Sequence, residues 1–285
     1  MINKLVGFLG IEKHEQAPLS FLFLRAGAVA IIIVATFVYQ SAFFLTVFRA
    51  STLPWLYASV AIITVVFSFP YSYLHRKLGD KRDDTVTMLF FGVGLVIPLF
   101  RPDLLMAKPT LFVISIWVKL LGVFAAISFW HHATRAFPSR RAKAILPIVA
   151  AGFSLGSALA GKVIQLVVVY HGSSFILPII LGTIAINIAI PSKGAQPEKV
   201  LRARKKRGHL LKQSMTLLRT NRLALYLTLF ILFTIPVFIC TDFILKKAVR
   251  ANFGKDGMAA FFANYQLYLN LGVFFLQTLI MGRLM

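Results

Sequence analysis

The sequence predicts an all-α, polytopic membrane protein: a helical bundle of about eight transmembrane helices. Three observations carry that expectation. Of the 285 residues 58% are hydrophobic and only 14% charged, with a mean hydropathy of +0.80 and 27 phenylalanines, well outside the composition of a soluble domain. Eight apolar runs approach the roughly 20 residues that a hydrocarbon layer of about 30 Å requires. With the N-terminus placed inside, the inner segments collect 20 of the 31 Lys and Arg and the outer loops seven, the positive-inside bias that orients spans.

The runs fall near 20–48, 54–74, 85–100, 110–130, 145–170, 174–190, 223–245 and 258–281, the third and sixth being the shortest. The first is too long for a signal-peptide core, carries Arg25 near its start and shows no small-residue cleavage site before a polar sequence, so it stays in the membrane. Residues 192–222 are the longest polar segment and divide the chain. Before this basic linker stands a six-span bundle, 1–191; after it, 223–285 supplies the first two spans of a second, incomplete bundle. The charge bias places the N-terminus and the linker in the cytoplasm, and the basic loop from Lys246 to Lys255 is the exception on the outer side.

A formal charge of +22 would suit nucleic acid in a soluble domain. Here the cluster RARKKRGHLLK, Arg202 to Lys212, interrupts two spans and lacks interleaved aromatics, so the expected partner of the 191–222 loop is anionic lipid headgroups rather than nucleic acid. The lone Cys240 lies inside the seventh run, excluding a disulfide within the chain and a cysteine-rich zinc site.

Six spans, a long basic inner loop and a second set of spans follow the plan of major-facilitator transporters, in which two bundles enclose a midplane site. The second set ends at QTLIMGRLM, four spans short of that plan. VYQSAFFLTVFRAS, Val38 to Ser51, and VFICTDFILKKAVRAN, Val237 to Asn252, both close a long span with aromatic, polar and then basic residues, matching span one to span seven as parallel repeats require. RAKAILPIVAAGFSLGSALAG, Arg141 to Gly161, resembles the loop and fifth span of bacterial members of the ATP/ADP carrier (nucleotide transporter) family. The stretch from Thr241 to Leu284, with its Asp-aromatic pair, Lys, Ala-x-Phe-Phe, Tyr, Asn and Gln, looks like their seventh and eighth spans. The resemblance implies a major-facilitator-like fold, a bacterial inner membrane location and transport of the ATP/ADP exchange type.

Charges inside spans are expensive and normally face a cavity or a partner. Lys162 and Lys119 are midspan cations, Arg25 lies about six residues into its span, and the first six spans hold no Asp or Glu. If all three cations face the centre, they form a positive site for a small anionic solute. At 100° per residue Lys162 shares a helical face with Ala151, Ala158 and Gln165, an arrangement that suits a wet cavity and makes Gln165 a fourth candidate. Gly152 and Gly156, four apart, are expected to let another helix approach closely. Asp242, the only acid inside a span, stands one turn before Lys246 and is a candidate for a local ion pair or for coupling. In YLHRKLGDKRDD, between spans two and three, Asp80 and Arg82 resemble a compressed form of the major-facilitator inner loop and are candidates for a gate latch.

His131 and His132 are adjacent, about 100° apart on a helix and without a neighbouring acid, so no metal is expected there. No G-x-x-x-x-G-K-[ST], G-x-S-x-G or paired-acid motif occurs, which argues against an enzyme, a catalytic residue or a bound cofactor and makes any nucleotide cargo. The reading is a secondary transporter of a small, anionic solute working by alternating access. Its rival is a non-transporting membrane anchor, sensor or partner-binding module that retains the fold.

Overall fold

The computed structural model describes residues 13–78, 80–101, 107–137, 139–190 and 220–284. Among them are eight α-helices and no strand: α1 Lys13–Val47, α2 Leu53–Leu78, α3 Asp80–Phe100, α4 Lys108–Arg135, α5 Ser139–His171, α6 Ile176–Ala189, α7 Arg222–Asn252 and α8 Lys255–Leu284. Six include apolar stretches long enough to cross a membrane, from Leu19–Val47 to Lys255–Leu279, whereas Thr85–Phe100 and Ser173–Ala189 are shorter. A multi-pass helical membrane bundle follows from this length and apolarity.

Local chemistry explains the helix ends. Pro109 sits in the first turn of α4, where its missing N–H costs nothing. Asn221 caps α7 by accepting from the backbone N–H groups of Leu223 and Ala224 at 3.0 and 3.3 Å. Gly172, at φ +83°, turns α5 into the short 3₁₀ segment Ser173–Phe175 and on into α6, a conformation that side chains disfavour. The sequence ends its seventh run at 245 and reads Lys246 to Lys255 as a loop. In the structure α7 instead continues to Asn252, because four of the five residues of KKAVR, the two Lys, Ala and Arg, are good helix formers and no breaker intervenes before Gly254.

α1 is the hub. It packs against α4, α5, α6 and α8, while α3 bridges α4 and α6, and α2 lies on α3 and α4. Its face carries small and apolar side chains that are almost wholly buried, among them Ala26, Val29, Ala30 and Ala35. Small residues allow close approach, the usual basis of helix association where solvent supplies no hydrophobic drive. A Cβ on Gly156 would lie 3.5 Å from Ala30 Cβ and from Gly27 Cα, and one on Gly152 would overlap the Phe23 ring. α1 and α5 therefore cross at these glycines.

The most extensive packing joins α5 to α8. Ser154 donates to Gln277 Oε1 at 3.1 Å, and a Cβ on Gly161 would come 2.7 Å from the Ala263 carbonyl oxygen and 2.8 Å from Leu267 N. Backbone cannot yield as a side-chain tip does. Gly161→Ala is thus expected to force the helices apart and cost about 1–3 kcal/mol, read as a lower midpoint of thermal unfolding in detergent. Gly182→Ala, which meets nothing within 4 Å, should leave the midpoint unchanged or slightly raised.

α7 differs from every other helix. Each residue from Leu225 to Thr241 is exposed, and the buried residues of the helix, Lys246 and Val249, lie in its later part. At that end the α7–α8 hairpin is clasped: Ser173 N–H donates to Asp256 Oδ1 at 2.9 Å, and Lys255 Nζ stands 4.0 Å from the centroid of the Phe43 ring.

Candidate functional site

The charged residues of the spans are brought to three places. One is a cluster at the junction between the first six helices and α7. Asp242 and Lys246, one turn apart on α7, form an ion pair at 2.8 Å, with Lys246 fully buried and Asp242 12% exposed. Tyr57, near the start of α2, donates its hydroxyl to the same carboxylate oxygen at 2.5 Å, and Lys246 Nζ lies 3.5 Å from that hydroxyl. The pair is therefore also a tie between α2 and α7.

Lys119 of α4 belongs to this cluster. Its ammonium is 5.2 Å from the centroid of the Phe37 ring, and Lys246 Nζ is 5.2 Å from the same centroid, so the two nitrogens stand no more than twice that distance apart. Lys119 is within electrostatic reach of both Lys246 and Asp242. Phe37 on α1 also meets Phe262 of α8 edge-on at 5.9 Å, so one ring links α1, α4, α7 and α8. Two cations face one carboxylate here. An aromatic face eases the desolvation of an ammonium, by about 2 kcal/mol where water is excluded, but it does not neutralise the charge.

A shallow cavity of about 340 Å³ opens nearby on α8, lined by Phe261, Asn264, Tyr265, Tyr268 and Leu269. This is the face turned away from α5, since Ala259, Phe262 and Ala263 are the buried ones. Tyr265 in its wall lies within electrostatic reach of Asp242.

The second place is Lys162. It is exposed, and its ammonium donates to Gln165 Oε1 at 2.9 Å on its own helix. The side chains on the same arc of α5, Leu155, Leu159, Leu166 and Val169, are exposed and apolar, while Ala151 and Ala158, expected to share a wet face with it, are buried in the packing. Apart from Lys162, the side chains of this arc are apolar and no neighbouring helix covers them among the described residues. Lys162 and Lys119 are not brought together by the described contacts.

Arg25, the third, is buried in α1 and lies within electrostatic reach of Tyr71 on α2, whose ring lies tilted against Phe124 with the centroids 5.1 Å apart. It stands about three turns along α1 from Phe37, apart from the two lysines. Asp80 opens α3 and Arg82 follows in its first turn; their side chains, like the linker at 191–219, lie outside the described residues. His131 and His132 are at the end of α4, with His132 Nδ1 2.9 Å from the Ser128 carbonyl oxygen, and no group of three metal-ligating side chains occurs among the described residues.

Tyr57 and Phe37 escape sequence reasoning. An isolated Tyr or Phe in an apolar span carries no signal, and the partners of Tyr57 are 185 and 189 positions away. The one available hint was the carboxylate itself, since a buried acid needs more than one donor.

No family model, curated protein or solved structure matches this chain.

Proposed function

We propose that the protein is a secondary transporter of a small anionic solute, bound at the junction of the six-helix set with α7 and α8. The observation that carries this reading is the charge count of the cluster: Lys119 and Lys246 against Asp242 alone. An intramembrane cation without a full counter-charge is costly and marks a substrate or ion path. An anion entering from the cavity beside Tyr265 would supply what is missing. In membrane carriers built from two helix sets, sites of this kind lie between the sets, where rocking exposes them to either side in turn.

On this reading Asp242 holds Lys246 in place when the site is vacant, and Lys119 is the principal anion contact. Phe37 spaces the two ammoniums, and Tyr57 fixes the carboxylate. Nucleotide exchange is one form of anion transport that would suit a site with two lysines and neighbouring aromatic rings. The clasp of Asp256 on Ser173 and Lys255 on Phe43 closes one end of the junction, whereas α7 stands free of the bundle along Leu225 to Thr241. We place the N-terminus and the linker in the cytoplasm; a cysteine introduced at Ser192 should react with impermeant maleimide only after cells are opened.

The test is the thermal unfolding of the purified full-length protein against inorganic phosphate, ATP, ADP, dicarboxylates and neutral or cationic amino acids. A ligand that prefers the native state raises the midpoint by mass action. Stabilisation by anions alone is expected, and stabilisation restricted to neutral or cationic solutes would overturn the reading. The non-transporting alternative draws on the exposed stretch of α7, which leaves the cavity walled on one side. It predicts anion binding without counterflow in proteoliposomes.

A further inference from the structure

One turn along α1 from Phe37, two polar side chains are buried without a hydrogen-bond partner among the described residues. Gln40 is 1% exposed and both atoms of its amide lack one; Ser41 is 0% exposed and its hydroxyl lacks one as well. Buried amides and hydroxyls are nearly always satisfied, and an unmet one weakens a fold without return. A span of this length has no need of either residue, because an aliphatic side chain would insert at lower cost.

Their register ties them to the lysines. Phe37, Gln40 and Ser41 stand at i, i+3 and i+4, so they share one face of α1. Thr36, one turn before Gln40, packs on α4 at Gly122, its hydroxyl 2.9 Å from where a Cβ on Gly122 would be. α4 runs antiparallel to α1, and Lys119 precedes Gly122 by three residues. One turn on from Thr36 along α1 is therefore the level of Lys119 on α4. Gln40 is thus at the level of the cation that Phe37 carries on its ring.

Resting on the anion reading above, we propose that Gln40 and Ser41 form the hydrogen-bonding half of the site beside Lys119 and Lys246. The favoured solute is then an anion that also bears a hydroxyl or amide, separated from its charge by about one helical turn, about 5 Å. The Gln40 amide supplies a donor and an acceptor and the Ser41 hydroxyl either, which matches a neutral polar group better than a second charge. A site built to bind a hydroxyl rejects the analogue lacking it, because its own polar atoms are then left unmet.

The experiment uses the full-length protein in detergent and two pairs of anions, malate with succinate and glycerol 3-phosphate with propyl phosphate, each pair matched in charge. The wild type should be stabilised more by the hydroxyl-bearing member. Gln40→Leu should keep an equal, positive response to both members and melt no lower than wild type without ligand. Gln40→Glu should melt higher without ligand and lose its response to all four, because the new carboxylate pairs with the lysines and takes the anion's place. A wild type indifferent to the hydroxyl overturns the proposal, as does Gln40→Leu retaining the preference. So does Gln40→Glu melting lower with its anion response intact, which would put residue 40 out of the ammoniums' reach and leave its amide to a trapped water. Lys119→Gln tests the reading beneath: if it responds to all four anions as wild type does, the anion site itself is misplaced, however Gln40 behaves. If no anion shifts the wild type, both fall.

Discussion

Asp242→Ala is expected to destabilise the protein by about 3–5 kcal/mol, the largest effect of any single substitution in the spans. Lys246 is fully buried and its ammonium has a carboxylate at 2.8 Å. Without that carboxylate its remaining partners are a phenol oxygen at 3.5 Å and the faces of Phe37 and Tyr57. Those contacts do not repay the desolvation of a full charge. Removing the cation as well should cure the defect: Asp242→Leu combined with Lys246→Met is expected to melt close to wild type, since apolar replacements of a buried pair are often neutral. Tyr57→Phe, losing one hydrogen bond to the carboxylate, should cost about 1.5–3 kcal/mol. Thermal unfolding of the four proteins in one detergent decides the matter. An Asp242→Ala protein that melts with wild type would mean that Lys246 does not hold a buried charge.

The same cluster shows where the sequence was legible. Hydrophobic run length is a property of consecutive residues, so the six helices long enough to cross a membrane and the shortness of Thr85–Phe100 and Ser173–Ala189 are readable without any tertiary knowledge. The spacing of Asp242 and Lys246 is likewise local, four residues on one helix, and Gly152 and Gly156 announce a close crossing by their spacing alone. What tertiary packing decides was not readable. A helical wheel fixes the angle between Lys162 and Gln165 but not which arc of α5 is left exposed, and the packing of α5 on α8 through Gly161 sets that. Lys119 looked equivalent to Lys162 because both are midspan cations, yet only Lys119 stands opposite Phe37. Gln40 and Ser41 carry no signal in the sequence, because two polar residues do not interrupt an apolar run of this length. The continuation of α7 through KKAVR was hidden for a different reason: charge suggested a loop, while helix propensity favoured no break.

Lys119→Gln and Lys162→Ala are expected to separate cleanly, although the sequence gives them the same standing. Lys119 shares the Phe37 ring with Lys246 and is the cation in excess over Asp242; its loss leaves the cluster balanced, one ammonium to one carboxylate. An anion then finds no surplus charge, and its stabilisation of the protein should fall by at least tenfold in apparent affinity, about 1.4 kcal/mol, with transport falling in parallel. The unliganded protein should melt no lower, since an uncompensated charge has been removed from a desolvated position. Among the described residues Lys162 donates to Gln165 alone, and it stands among exposed leucines on the far arc of α5. Lys162→Ala should therefore leave anion response and transport within twofold of wild type. The reverse pattern, Lys162→Ala abolishing the response while Lys119→Gln preserves it, would move the anion site to the outer arc of α5 and make the Tyr57–Asp242–Lys246 cluster a structural tie. Equal losses from both would require the two lysines to meet in one cavity, in an arrangement of α5 and α8 other than the one packed through Gly161.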